Sequence, residues 1–321
     1  MPLALILVRW LHLSASILLA SLFLFMAAIV LPATRKSSAA MGDLLDTVQL
    51  LTCRTALWTL LVALMSWFGW SWLVASTMTG DDLIETLQSG DWLTVLTGTQ
   101  FGRIWLFRVI VSMVFGIILL VSRRPPFRRS FLQTTLVGLS ATDLVSLAWA
   151  GHAAASPGPF RFVHLLGDAL HLLTSAFWPG GLVPLAAFLF LLLKSSQVEA
   201  VGLAALAVRR FSANSLIAAA SMAFTGFSNS IFMVGSFQAL LTSAYGQILV
   251  SKLILFFAMI AFGAWNLLLL KPRIAAELLT VNLAQKSAVH FLLRNVLWEI
   301  GLGTLVVLIV GLLGITQPPM R

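Results

Sequence analysis

Apolar residues run on for twenty or more positions at a time, eight times over, with no two-residue alternation inside the runs. They cover roughly 3–31, 51–78, 102–122, 131–150, 162–193, 211–234, 244–270 and 295–315. The hydrocarbon core of a bilayer takes about 20 residues of α-helix. Continuous apolarity excludes the dyad pattern of a membrane β-barrel. The pattern therefore predicts an all-α, polytopic membrane helix bundle with eight transmembrane helices. The first run is too long for the core of a signal peptide, and its only early cation, Arg9, lies inside it. It is expected to stay as a span.

The connections between the runs are short, and their charges alternate. Arg35 and Lys36 occupy the first; Arg123, Arg124, Arg128 and Arg129 the third; Lys194, Arg209 and Arg210 the fifth; Lys271, Arg273 and Lys286 the seventh. The second is acidic, with Asp81, Asp82, Glu85 and Asp91; the fourth has only Arg161 and the sixth no charge. The positive-inside rule puts the odd connections in the cytosol and both termini on the outer side. No connection could hold a folded domain, which predicts a single membrane domain over 1–321. Four N-terminal spans fall in roughly 1–150 and four C-terminal spans in roughly 151–321.

Composition sharpens this picture in four places. The chain is 60% hydrophobic and 10% charged, against about 45–50% and about 25% in soluble domains, so lipid is its solvent. The net charge of +9 would suggest nucleic acid in a soluble protein. Here the cations sit in the odd connections and report orientation, and no nucleic-acid partner is expected. The single cysteine, Cys53, excludes an intramolecular disulfide and a multi-thiolate metal site. Eleven Trp against one Tyr fit aromatic belts at the membrane surfaces. There is no Walker motif or dinucleotide fingerprint, so neither ATP-driven pumping nor enzymatic activity is expected.

The chemistry lies in the polar minority inside the runs, where ionisable residues are costly. Four of the five histidines, His12, His152, His164 and His171, map to the outer side, and His290 to the cytosolic side. Spacings of four and three put His164, Asp168 and His171 on one helical face. Imidazole and carboxylate suit copper or zinc, and a carboxylate can also orient a ligating histidine. Hydrogen bonding between helices accounts for any one of these histidines; a shared metal accounts for the group. A second stripe, Met222, Thr225, Asn229 and Met233, lies on one face of the sixth span, and thioethers suit Cu(I). At about 1.5 Å per residue, Arg108, Asp143, Asp168 and Lys252 lie roughly 10 Å below the outer surface. Depth admits the pairs Asp143–Lys252 and Asp168–Arg108, and Asp168 with Lys252 as well. Tyr245 shares a face with Lys252, and Glu299 lies nearer the cytosol. Trp178-Pro179-Gly180-Gly181 and Pro184 interrupt the fifth run.

Taken in order, several short motifs are similar to one family. They are Arg9-Trp10-Leu11-His12, Gly151-His152, Asp168-x-x-His171, Trp178-x-Gly180-Gly181-Leu182, Arg210-Phe211-Ser212 and Thr225-Gly226. Thr242-x-x-Tyr245-Gly246-x-x-Leu249-x-x-Lys252, Asn266, Pro272 and Arg294-x-x-x-x-Glu299 complete the set. Over almost its whole length the chain resembles the CopD family of bacterial copper-resistance membrane proteins. The resemblance implies an eight-span inner-membrane copper importer, with copper as Cu(I) or Cu(II), working with a periplasmic CopC-type chaperone. Copper would be received by His12, His152, His164 and His171, with Asp168 as ligand or orienter. It would pass inward along Met222, Asn229 and Met233, with Asp143 and Lys252 balancing charge. Pro179 departs from the aliphatic residue common in the family, and no CopC-like domain is fused, so the chaperone would be separate. The alternative is a haem b protein, an electron carrier or quinone-linked oxidoreductase, ligated axially by a pair such as His12 and His171.

Overall fold

All eight apolar runs form helices long enough to cross a membrane. A computed structural model of the chain describes residues 2–34, 42–122, 130–151, 161–195, 199–274 and 287–319. The spans are α1 (Pro2–Thr34), α2 (Gly42–Thr79), α5 (Gln100–Val121), α6 (Ser130–Ser146), the broken pair α7 (Arg161–Phe177) and α8 (Leu182–Lys194), α9 (Glu199–Val234), α11 (Ala244–Ile274) and α12 (Ser287–Leu313). Short helices α3 (Leu83–Gln88), α4 (Asp91–Gly98) and α10 (Phe237–Thr242) lie in connections. Among the described residues there is no strand, as expected where every backbone group must be satisfied within its own segment.

The acidic connection is built from local capping chemistry. The Asp82 side chain accepts from the backbone N–H groups of Ile84 and Glu85, both at 2.8 Å, and starts α3. Gly80 and Gly90 take left-handed φ values of 85° and 82°, which an L side chain rarely adopts, and turn the chain at either end. Trp72 Nε1 donates to the Leu83 carbonyl at 2.7 Å and Trp92 Nε1 to Ser71 Oγ at 3.1 Å, tying this segment to α2.

α1 is the central helix. It packs on α2, α6, α7 and α12, and so touches spans from both ends of the chain. Its buried positions, among them Leu19, Phe23, Met26 and Val30, join a core with Trp178, Leu185, Leu189 and Phe211. The outward faces carry Trp58, Phe131, Phe224 and Phe227, whose exposure is what hydrocarbon requires. Not all tryptophans belong to surface belts. Trp70, Trp105 and Trp178 are buried, Trp105 completely. Trp67 Nε1 donates to the Trp105 carbonyl at 2.8 Å and Trp105 Nε1 to the Trp67 carbonyl at 3.1 Å. The Trp67 and Trp105 N–H groups thereby find partners between α2 and α5, whereas Trp70 Nε1 has none among the described residues.

The interruption of the fifth run lets α1 approach closely. A methyl group built on Gly180 would collide with Ser21 Oγ and stand 2.7 Å from Ile17 Cγ2, with the Ser175 carbonyl at 3.2 Å. Overpacking of this kind costs about 1–3 kcal/mol. Gly180→Ala is therefore expected to lower the thermal midpoint of the detergent-solubilised protein, and an unchanged midpoint would refute the close approach.

Candidate functional site

Polar side chains inside the bundle gather in three places. The first lies between α1, α2, α5 and α6. Arg108, 1% exposed, faces Asp143 with N–O 3.1 Å. Its guanidinium also donates to Ser16 Oγ at 2.9 Å, to Ser146 Oγ at 2.8 Å and to the Asp143 carbonyl. Ser16 Oγ donates to Asp143 Oδ2 at 3.2 Å, and Ser112 Oγ lies at 3.5 Å from Oδ1.

His12 belongs to this network. Its Nε2 lies 2.9 Å from the Arg108 guanidinium. Arginine has only donors, so Nε2 must accept and the ring proton sits on Nδ1. Nδ1 then donates toward the Ala63 carbonyl and Ser66 Oγ, each at 3.1 Å. The ring is flanked by Trp70 and Trp105, with centroids at 5.5 and 5.4 Å. Both nitrogens are engaged, so His12 has no lone pair to offer a metal or a haem. The axial haem pair His12–His171 does not fit this arrangement: the two residues belong to different polar clusters.

The second cluster is a seam between α7 and α9. Asp168 and His171 of one stripe meet Asn229 and Thr225 of the other in antiparallel register, while the Met222 side chain joins the large apolar core and Met233 packs with Tyr245 and Leu249. At one end the His164 ring stacks on Phe232, centroids 4.6 Å apart. One turn on, Asn229 Nδ2 donates to Asp168 Oδ1 at 3.1 Å. At the next turn His171 Nδ1 lies 2.9 Å from Thr225 Oγ1. The Thr225 hydroxyl donates to the Ser221 carbonyl at 2.8 Å, so its oxygen accepts from His171 Nδ1–H. The proton is thereby assigned to Nδ1 and the lone pair to Nε2. An outer partner that fixes the tautomer in this way is the usual support of a metal-ligating histidine.

Other features of the seam suit a cation. Asn229 Oδ1 is buried without a hydrogen-bond partner among the described residues. Gly167 and Gly226 give room: a methyl group on either would stand 3.5 Å from Asn229 Oδ1 or from His171 Cε1, respectively. Met222 and Met233, 7% and 6% exposed, lie a turn below and a turn above the two hydrogen-bonded rungs. Lys252 on α11 is within electrostatic reach of both Asp168 and His171.

The pairing of charges that depth left open is thus decided. Asp143 pairs with Arg108, and Asp168 has Lys252 as its neighbouring cation. The pairs Asp143–Lys252 and Asp168–Arg108 do not form, because α5 packs on α6, and α7 packs on α9. Of the five histidine and aspartate positions expected to converge, the structure joins Asp168 and His171 in the seam, with His164 at its end. It sets His12 apart, and His152 lies outside the described residues. Among the described residues, no three His, Cys, Asp or Glu side chains gather at metal-binding distance. Tyr245 is buried in a separate apolar group with Met233 and Leu249.

The serines of the first cluster were not picked out by sequence reasoning. A signal for them exists: His12, Arg108 and Asp143 each have a serine one turn on, at Ser16, Ser112 and Ser146. The third cluster, Glu299 with Asn266 and Asn295, is described below.

Comparison with known proteins bears on both halves of the chain. The family profile "Copper resistance protein D-like, N-terminal domain" matches residues 1–162, and "Copper resistance protein D" matches residues 205–313. Copper resistance protein D of Pseudomonas syringae pv. tomato is 30% identical over 254 residues, 78% of each chain. Inner membrane protein YebZ of Escherichia coli (strain K12) is 28% identical over 256 residues, 78% of this chain and 82% of that one. Copper transport protein CutJ of Bacillus subtilis (strain 168) is 31% identical over 194 residues, 59% of this chain and 34% of that one. No solved structure gives a significant match.

Proposed function

The chain belongs to the copper resistance protein D family and is a copper-related, multi-pass protein of the bacterial inner membrane; on that premise we propose that it carries copper from the periplasm toward the cytosol through the α7–α9 seam. The observation that carries this reading is the His171–Thr225 hydrogen bond, which leaves the Nε2 lone pair of His171 for a metal. His171 Nε2 is the principal ligand. The Met222 and Met233 thioethers are soft donors along the same face, suited to Cu(I). Asp168, held by Asn229, offsets the charge of the ion, and Lys252 balances Asp168 when no ion is there. His164 and His152 would receive the metal at the outer end, from a separate CopC-type chaperone. The protein is a transporter and not an enzyme in this reading, with its termini on the periplasmic side.

The name of the Bacillus relative, a copper transport protein, agrees with transport as the activity. Reconstitution of the purified protein into liposomes tests it. Copper added outside is expected to accumulate in the lumen faster than in protein-free vesicles. Equal rates would overturn transport and leave binding alone.

A further inference from the structure

Glu299 lies near the middle of α12, 1% exposed. Its carboxylate accepts from Asn266 Nδ2 on α11 at 2.6 Å. Asn266 Oδ1 in turn accepts from Asn295 Nδ2 at 2.9 Å, one turn back along α12. Gly263 opens the space for the carboxylate: a methyl group there would stand 3.9 Å from Glu299 Oε2. Asn266 begins a π-helical turn, Asn266–Leu270, a departure from α-geometry found mostly at functional sites.

What is missing around this carboxyl is a cation. Among the described residues no charged group acts on Glu299. α11 brings it Gly263 and Asn266; α8 and the break before it bring apolar groups; α1 meets α12 further along, through Trp10 at Thr304 and its cation Arg9 at Gly314; Arg294 on α12 lies over the Phe291 ring, 5.1 Å away. A lone carboxylate in hydrocarbon is too costly to keep, and such a group either binds a cation or carries a proton. A hard metal ion needs several oxygens around it. The nearest neighbour of Glu299 is instead an amide N–H donor. A protonated carboxyl keeps a carbonyl oxygen for that N–H, so the site accommodates a proton where it lacks the oxygens a metal ion needs.

The carboxyl is also placed on the proposed route. One face of α11 carries Lys252, Phe256, Met259, Gly263 and Asn266 at spacings of four, three, four and three. Lys252 acts on the α7–α9 seam, Phe256 packs on Trp178 at 5.8 Å, and Met259 meets Gly303, one turn beyond Glu299. A single helix face thus runs from the seam to the carboxyl, about 21 Å at 1.5 Å per residue.

We propose that Glu299, held by the Asn266–Asn295 amide chain, is a proton site that exchanges with copper, making the protein a copper–proton exchanger. The inference rests on copper transport through the seam. A copper cation entering this half of the bundle and a proton on Glu299 exclude each other, since the site has one negative charge. The O–H bond of Glu299 breaks, the proton leaves to the water on the side copper came from, and no electron is transferred. Exchange of one Cu(I) for one proton leaves the charge on each side unchanged.

The test uses the full chain in liposomes with a lumenal pH dye and Cu(I) added outside. An inside-acid gradient is expected to accelerate copper entry several-fold, with the lumen turning alkaline as copper enters. Glu299→Gln should bind copper as the parent does yet carry it at a rate indifferent to the gradient, whereas Glu299→Asp should keep the dependence. Copper entry by the parent that ignores the gradient, or a Glu299→Gln protein that still responds to it, overturns the exchange and leaves transport standing. No copper entry by the parent overturns both. Labelling of the parent with a hydrophobic carbodiimide, which attacks protonated carboxyls, serves even if Glu299→Gln does not assemble. An adduct on Glu299 that stops gradient-driven entry supports the proposal, and an unlabelled Glu299 refutes it.

Discussion

Replacing His171 by alanine is expected to abolish copper uptake by cells while leaving the protein in the membrane at its usual level. The histidine is half-buried at the α7–α9 contact, and its loss removes one hydrogen bond to Thr225, worth about 0.5–1.5 kcal/mol. The structural cost is small. The functional cost is large, because Nε2 is the imidazole lone pair that the seam leaves available. Thr225→Val separates the two effects further. It keeps the ligand and removes only the acceptor that fixes its tautomer, and outer-partner changes of this kind weaken metal binding about 10–100-fold. Elemental analysis of cells and equilibrium copper binding by the purified proteins measure both. Copper accumulation in His171→Ala cells equal to the parent would remove His171 from the site. His12→Ala should behave in the opposite way, lowering stability with little change in copper binding by the folded fraction, since both nitrogens of His12 are spent on Ala63, Ser66 and Arg108.

Arg108→Ala is expected to destabilise the N-terminal spans by about 3–5 kcal/mol, the usual cost of leaving one member of a buried ion pair alone. Asp143 would remain among Ser16 and Ser112 without its cation, and the His12 ring would lose its donor. Asp143→Ala should cost about as much, since it strands a guanidinium that is 1% exposed. Removing both charges together, as Arg108→Leu with Asp143→Leu, is expected to recover much of the loss, because apolar replacements of a buried pair are often neutral. Unfolding of the detergent-solubilised variants compares them. Single substitutions that melt with the parent would show that the pair contributes nothing. The same experiment distinguishes the two clusters: copper binding per folded molecule should survive in the Arg108 and Asp143 variants and fail in His171→Ala.

The two histidines show how far a spacing argument reaches. His164, Asp168 and His171 share a helical face by arithmetic alone, and so do Met222, Thr225, Asn229 and Met233, which is why the stripes could be read before any contact was known. Nothing in either stripe says that the other is its partner. His12 carries no local mark that distinguishes it from His171; the difference is a guanidinium 96 positions away in sequence. The burial of Trp70 and Trp105 was illegible for the same reason, as an indole at a membrane surface and one packed on His12 have the same composition.

By itself the sequence determined the eight helices, because apolar runs of membrane length have no other way to satisfy their backbone in lipid. It also determined which face of each helix carries the polar groups, since helical periodicity is a local property. The tertiary structure decided the partners. Arg108 went to Asp143 and His12, Lys252 came within reach of Asp168 and His171, and Asn266 met Glu299. Depth in the membrane is similar for several of these groups, so charge and position along the chain leave the pairings degenerate. Only the choice of neighbouring helices, set by side-chain packing over many residues, lifts that degeneracy. It leaves one histidine with its lone pair spent and the other with its lone pair available.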